Sequence, residues 1–210
     1  EDTYGHYGKV MLKYFLAEGA VVSHSLFLAS QDIKPDEFIS ELPALVTTDT
    51  ITSDTSSGSP LSDEKMQIAW RYQNMKIQDS SKTPQLFGHF YDLTRRMDEN
   101  ILTQSHIDLW NGEDSVSKSN LDFDNAAYDD LLKTVQKRIK TGEFLVNASP
   151  KERNILRIGI HALGSRLWFS DSEELSHNDF LKFLYSLRAL LRNSFAVACI
   201  TVPSKIFQNH

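Results

Sequence analysis

The chain has 210 residues, of which 40% are hydrophobic and 24% are charged, values ordinary for a globular protein with one sizeable core. Its formal net charge of −6 excludes a general attraction to nucleic acid, so any RNA contact needs a local basic patch. The single cysteine, Cys199, excludes an internal disulfide framework and a cysteine-based metal site, which favours a reducing compartment. No apolar run is long enough to cross a bilayer, so no membrane association is expected.

The first part of the chain predicts a helix, a buried strand and a second helix. Residues 9–18 have helical apolar spacing and are followed by Gly19, a residue type favoured just after a helix. The apolar face of this helix would consist of Val10, Met11, Tyr14 and Phe15. Residues 26–29 are a short apolar run typical of a buried strand, and residues 35–42 predict a helix that the following proline stops.

Three polar segments are predicted to be disordered or mobile insertions, namely residues 47–63, 76–84 and 111–122. Between the first two, residues 65–72 carry large apolar groups that indicate a short helix or strand packed on the domain. The insertions interrupt a single domain that spans residues 1–210.

The second half of the chain begins with the clearest helix. Residues 125–141 are amphipathic, with Asp124 as the expected N-terminal cap and Gly142 at the end. The apolar face consists of Tyr128, Leu131, Leu132, Val135 and Ile139. Residues 155–160 predict a strand that leads into a turn at 164–165.

The closing segments predict one more helix and one more strand. Ser176 and Asp179 match a capping box, which places the start of a helix that runs to Asn193. Its inward residues would be Phe180, Leu184, Leu187 and Leu191. Residues 196–202 form a fully apolar strand. The alternation of helices with apolar strands favours an α/β fold, with a mainly parallel sheet flanked by helices.

Near its N-terminus the sequence resembles a phosphate-binding P-loop, G-x-x-x-x-G-K-[ST], in which backbone N–H groups and a lysine bind phosphates and a hydroxyl binds Mg²⁺. Thr3 replaces the first glycine of the motif, and Val10 replaces the hydroxyl residue, although Mg²⁺ requires oxygen ligands. The alternative is an ordinary loop with a solvated lysine. The candidate nucleotide-binding residues are Gly5, Gly8 and Lys9.

A P-loop ATPase also needs an acidic residue after an apolar strand, to hold Mg²⁺ or orient the attacking water. His161 follows the strand at 155–160, and the strand around Cys199 ends without a carboxylate as well. No catalytic residue is therefore predicted; a fold that never bound nucleotide explains the same pattern. The seven histidines show no paired ligand spacing, so no metal site is predicted.

One small basic cluster follows an aromatic segment. Arg95 and Arg96 come after Phe87, Phe90 and Tyr91, and this combination of charge and aromatic faces predicts contact with RNA or with a partner protein. The alternative is pairing of the two arginines with a neighbouring subunit or with Asp92, Asp98 and Glu99.

Several strings in the sequence are specific to one family, including KMQIAWRYQ, FGHFYDLTRRM and RNILRIGIHALGSRLW. On these strings the chain resembles the family of the fourth subunit of the Elongator complex. The matching segments are residues 13–19, 41–43, 65–73, 87–97, 153–168 and 183–209.

The resemblance implies a RecA-like P-loop ATPase fold with degenerate nucleotide motifs, in a hetero-hexameric ring with the fifth and sixth Elongator subunits. This ring docks on the catalytic subcomplex and handles tRNA during wobble uridine modification, whereas the radical and acetyl-transfer chemistry belongs to another subunit. We expect no tightly bound cofactor, with ATP allowed at ring interfaces, and a cytoplasmic protein with the nucleus as a second compartment. The chain is also expected to be a fragment of a longer protein.

The leading hypothesis is a non-catalytic ring subunit that assists tRNA binding. Its ring interfaces would use aromatic residues outside the sheet core, with Trp70 and Tyr72 as candidates. The first alternative is an active P-loop ATPase with atypical ligands. The second alternative is a pure scaffold that contacts neither nucleotide nor RNA.

Overall fold

The structure of the chain is a computed structural model that describes residues 5–46, 88–113, 123–169 and 173–207. The predicted insertions at 47–63 and 76–84, the segment 65–72 between them and most of the insertion at 111–122 lie outside these ranges. Within the described ranges, no helix has both the length and the apolar content that a membrane span requires.

The elements alternate between helices and strands along most of the chain. The helices are α1 (His6–Val21), α2 (Pro35–Ser40), α3 (Glu99–Gln104), α4 (Ala126–Thr141) and α5 (Glu173–Arg192). The strands are β1 (Ser25–Ala29), β2 (Pro43–Leu45), β3 (Tyr91–Arg96), β4 (Ile107–Trp110), β5 (Leu156–Ile160) and β6 (Ala196–Ile200). Short 3-10 turns cover Arg166–Trp168 and Ser204–Phe207.

The chain divides into two compact units, one made of Glu1–Ala44 with Leu93–His210 and the other of Leu45–Asp92. Four strands of the first unit form a parallel sheet in the order β4-β1-β5-β6. The strands β2 and β3 form a separate two-stranded sheet. The predicted α/β fold with a mainly parallel sheet is confirmed, and it is compatible with a RecA-like domain.

The three predicted strands of the parallel sheet are all present, but β4 was not predicted. Asp108 interrupts the apolar run of β4, and Leu109 is partly exposed, so the strand lacks a continuous buried pattern. The apolar run at 196–202 gives a strand only to Ile200. Within the described residues β6 lies at the edge of the sheet, which explains why Val197 is exposed.

Helix α1 packs on one face of the sheet, and it differs from its prediction in both length and orientation. It continues past Gly19, which lies inside the helix instead of ending it. Gly19 permits a close approach to the sheet, because a Cβ at this position would lie 2.5 Å from a methyl carbon of Leu26. The predicted apolar face was wrong, since Met11 is 65% exposed. The buried residues of α1 are Leu12, Leu16, Ala17, Gly19 and Ala20.

The helices α4 and α5 cover the opposite face of the sheet, around an aromatic cluster. Trp168 is fully buried, with its ring centroid 4.8 Å from that of Tyr128 and 5.5 Å from that of Trp110. Phe183 of α5 contacts Tyr128 at 5.5 Å. The predicted inward face of α4 is buried except at Leu132, which is partly buried. On α5, Phe180 and Leu187 are buried, whereas Leu184 and Leu191 are only partly buried.

The N-terminal caps of these two helices differ from the predictions. The side chain of Asn125, not Asp124, accepts the N–H of Ala127 and caps α4. The proposed capping box was wrong, because α5 already begins at Glu173. The fully buried Asp179 instead accepts the backbone N–H groups of Asp124 at 2.9 Å and Asn125 at 2.8 Å, so a residue of α5 fixes the start of α4.

Candidate functional site

The N-terminus of α1 contains the residues assigned to the degenerate P-loop. Gly5 is the N-cap residue and has left-handed backbone angles (φ 69°, ψ 14°), which glycine adopts without steric cost. Gly8 and Lys9 lie in the first turn of α1, and the N–H of Lys9 donates to the carbonyl of Gly5 at 3.0 Å. Val10 follows in the helix, so no hydroxyl succeeds the lysine. Thr3 lies outside the described residues.

The carboxyl ends of β1 and β5 bring Ser30 and His161 together. The two strands are parallel neighbours with Ala29 opposite Ile160, so the residues that follow them meet at the same edge of the sheet. Ser30 Oγ lies 3.3 Å from His161 Nδ1, and both side chains are buried. The backbone N–H of His161 donates to the carbonyl of Ala29 at 2.9 Å.

The hydrogen bonds of Ser30 fix the tautomer of His161. Ser30 Oγ accepts the backbone N–H groups of Asp32 at 3.2 Å and Ile33 at 3.3 Å. With both lone pairs occupied, the hydroxyl hydrogen is directed at His161 Nδ1, which then acts as acceptor. The neutral imidazole therefore carries its proton on Nε2.

Burial lowers the pKa of His161 below its ordinary value of 6.5, and the charge of Lys9 lowers it further, while Asp32 opposes both effects. His161 is therefore neutral at neutral pH. The charge of Lys9, in the first turn of α1, therefore acts at this edge of the sheet. The imidazole ring is 6.1 Å from the ring of Phe38, which helps to exclude water from it.

The loops after the strands are tied to one another. Ser165 Oγ donates to Asp32 Oδ2 at 2.8 Å, which links the loop after β5 to the loop after β1. Ala162 has a left-handed backbone (φ 53°), and its N–H donates to Thr201 Oγ1 at 2.8 Å. The N–H of Leu163 donates to the Thr201 carbonyl at 2.9 Å. Hydrogen bonds therefore connect the segments that follow β1, β5 and β6 at this edge.

This arrangement suits an anion better than a metal ion. A helix N-terminus, the ammonium group of Lys9 and an imidazole with a donor Nε2 all favour negative charge. The described residues contain no group of three or more His, Cys, Asp or Glu side chains that could hold a metal ion. Ser30 is unsuited as a nucleophile, because it is fully buried and its oxygen is occupied by backbone N–H groups.

The remaining candidates are two arginines of β3 and two aromatic residues. Arg95 and Arg96 are exposed at the end of β3. Trp70 and Tyr72 lie outside the described residues, so their assignment as interface residues stays a prediction. Of the aromatic residues before the arginines, Phe90 is 68% exposed.

Sequence reasoning missed a salt bridge that connects α1 to the end of α2. Lys13 Nζ lies 2.9 Å from Glu41 Oε2. This hydrogen bond and the charge of Lys13 lower the pKa of Glu41, and the charges of Arg96 and Lys9 add to the effect. Nothing in the local sequence pairs residues so far apart. The polar residues Ser30 and Asp32, in contrast, follow a predicted strand, and Thr201 lies near the end of another, so all three carried a detectable signal.

The whole chain, residues 1–210, matches the PAXNEB protein family. It is 40% identical to Elongator complex protein 4 of Xenopus laevis, over all of this chain and 55% of that protein. Identity is 37% to Elongator complex protein 4 of Homo sapiens, over all of this chain and 53% of that protein. Identity to the Drosophila melanogaster protein of the same name is 24%, over all of this chain and 64% of the relative.

The chain thus spans about half the length of most curated relatives that it matches. Its similarity to them is nevertheless spread along all of its own residues, and the family match has the same extent. The predicted resemblance is confirmed, and the chain belongs to the PAXNEB family.

Proposed function

We propose that this chain is the RecA-like part of a non-catalytic subunit of the Elongator complex. In this role it joins the fifth and sixth Elongator subunits in a hetero-hexameric ring. The ring docks on the catalytic subcomplex and assists the binding and release of tRNA during modification of the wobble uridine, U34. Support for membership of the complex comes from the match to the PAXNEB family over 210 residues and from the names of the relatives.

The observation that carries the non-catalytic role is the residue after β5. A P-loop ATPase uses a carboxylate near the phosphates to hold Mg²⁺ or to orient the attacking water. His161 directly follows β5, and its Nδ1 accepts the hydrogen bond from the Ser30 hydroxyl. An imidazole with a donor Nε2 does not replace the oxygen ligands that Mg²⁺ prefers, and Val10 supplies no hydroxyl.

One observation favours a rival function, an active ATPase with atypical ligands. The left-handed Gly5 and the first-turn Lys9 retain the geometry with which a helix N-terminus binds phosphate. In our proposal this geometry does no more than bind the phosphates of ATP at a ring interface, where a neighbouring subunit supplies the groups that this chain lacks. The chain itself holds no tightly bound cofactor, and the ring works in the cytoplasm and the nucleus.

The proposal is tested with the full-length subunit, alone and assembled with the fifth and sixth subunits. Mass photometry should give the mass of a hexamer, and filter binding should detect tRNA. The subunit alone should show no ATP turnover above buffer. Lys133 is an exposed-face lysine of α4 and serves as the control position for Lys9. Turnover that Lys9→Ala abolishes and Lys133→Ala preserves would overturn the non-catalytic assignment. A ring that binds no tRNA would favour the pure scaffold.

A further inference from the structure

We propose that Lys9, Lys13 and Arg96 form one binding surface for the phosphate backbone of RNA, here called the α1–β3 basic surface, and that Glu41 weakens this surface by occupying Lys13. The inference rests on the proposed function in tRNA handling and assigns the contact to particular residues. It also assigns Glu41 a role that its exposed position would not otherwise require.

The two lysines lie on the same side of α1. Lys9 and Lys13 are one helical turn apart, so their side chains project in neighbouring directions. Lys13 Nζ is 2.9 Å from Glu41 Oε2 and 5.4 Å from the ring centroid of Phe38. These two contacts hold the C-terminal end of α2 against α1.

A backbone hydrogen bond brings the end of β3 to the same place. The N–H of Met97 donates to the carbonyl of Leu42 at 2.7 Å. Met97 and Leu42 are the sequence neighbours of Arg96 and Glu41, so this bond brings the backbone at Arg96 close to the backbone at Glu41. The charge of Arg96 lowers the pKa of Glu41, as does that of Lys9, after the larger effect of Lys13. The charges of three cations therefore act on one carboxylate, and Lys13 contacts it directly at 2.9 Å.

The shape of this surface favours a polyanion over a single nucleotide. Its cations come from a helix and a strand end, and Arg96 is exposed. Of these three cations, Lys9 is the one whose charge also lowers the pKa of His161, at the edge of the sheet where a nucleotide would place its phosphates in a P-loop fold. A chain with a net charge of −6 repels RNA elsewhere, so a local excess of positive charge determines where RNA can approach.

Because Glu41 forms a salt bridge with Lys13, the inference can be tested with a variant that is expected to bind tRNA more tightly. The side chain of Lys13 is 20% exposed and that of Glu41 is 49% exposed, so a phosphate can reach the pair and compete for the lysine. Glu41→Gln removes the competing charge. It should raise the affinity of the assembled ring for tRNA several-fold and steepen its salt dependence.

Arg96→Gln should act in the opposite direction. Loss of one phosphate contact should weaken tRNA binding and reduce the slope of log K against log salt by roughly 0.7–0.9. Matched controls come from the Asp129–Lys133 pair on α4, on the opposite face of the sheet, whose charged atoms are 2.6 Å apart. Asp129→Asn and Lys133→Gln should leave affinity and slope unchanged.

The experiment measures tRNA binding to rings of full-length subunits at several salt concentrations, with ATP titrations of the same rings. A defect in folding or assembly cannot produce the gain expected for Glu41→Gln. If that variant binds tRNA no more tightly than the wild type, the inference is overturned. It is also overturned if the variants change ATP binding alone. A wild-type ring that binds no tRNA overturns the proposed function itself.

Discussion

The two faces of the parallel sheet are covered by the same kind of element but bury different chemistry. On the α4–α5 face, Trp168, Tyr128 and Phe183 pack ring against ring. On the α1 face, Arg157 lies on β5, one of the two inner strands, and donates to His24 Nδ1 and to the carbonyl of Phe15, both at 3.0 Å. The first face is built for stability. The second keeps charged groups next to the helix that carries the candidate site.

The largest effect on stability is expected when a side chain of the aromatic cluster on the α4–α5 face is removed. Trp168→Ala removes a fully buried side chain and leaves a cavity, so the free energy of unfolding should fall by about 3–5 kcal/mol. Leu167→Ala is the control, because Leu167 is 56% exposed and its loss should change stability by less than about 0.5 kcal/mol. Urea unfolding followed by circular dichroism measures both. Equal losses for the two variants would contradict the assignment of the cluster as the main core.

The link between α5 and α4 should give the next largest effect. Asp179→Ala leaves two backbone N–H groups without their acceptor at the start of α4, so unfolding free energy should fall by about 2–3 kcal/mol. Asn178 is an exposed neighbour on α5, and Asn178→Ala should be nearly neutral. Amide hydrogen exchange should show lost protection at the first turn of α4 in the Asp179 variant alone.

The edge of the sheet should respond to pH. The folded-state pKa of His161 lies below 6.5, so the unfolded chain binds this proton at higher pH than the folded chain does. The stability associated with a neutral His161 is complete above pH 6.5 and is lost as pH falls through the folded-state pKa. Burial and the charge of Arg157 also lower the pKa of His24, so this residue adds to the pH dependence of stability in the same direction.

His161→Asn keeps an acceptor for Ser30 and removes the titration. Between pH 7 and pH 5 this variant should lose less unfolding free energy than the wild type, because it lacks the group that the unfolded chain protonates more readily. Thermal or urea unfolding at several pH values measures the difference. A pH dependence identical to that of the wild type would show that His161 does not titrate between the two states.

The smallest effect on stability is expected where the proposed effect on binding is large. Lys13 and Glu41 form a partly exposed salt bridge, which contributes about 0–1 kcal/mol in most proteins. Glu41→Gln should therefore change the unfolding free energy by less than about 1 kcal/mol. A larger loss of unfolding free energy would show that Glu41 contributes substantially to the stability of the fold. It would contradict the contrast between the two faces of the sheet.

Local patterns in the sequence were sufficient to predict most of the fold. Continuous apolar runs identified β1, β5 and β6, because parallel strands are buried on both faces. The orientation of α1 was not predictable in this way. Its apolar residues extend around much of the helix, so the helix pattern alone does not identify the buried side. The buried side places Leu12 and Leu16 against Gly159 of β5, a contact that no helix pattern reveals.

The candidate site was predictable only in part, for a similar reason. Lys9 and His161 were recognisable from motif position, and both lie at the carboxyl edge of the sheet. Asp179 was assigned to its own helix because capping patterns are local, whereas its actual partners are more than fifty residues away. No sequence pattern pointed to Glu41, because its contact with Lys13 depends on the packing of α2 against α1.

The close fit around Gly159 has an evolutionary consequence. A Cβ on this residue would lie 3.1 Å from a methyl carbon of Leu12 and 3.3 Å from one of Leu16. A larger residue at position 159 would push α1 outward, together with the lysines that it carries. In related sequences, substitutions at 159 should therefore be rare, and those that persist should co-occur with smaller side chains at positions 12 or 16. Substitutions in the interior of the sheet and in the lysine-bearing helix α1 are therefore expected to occur together.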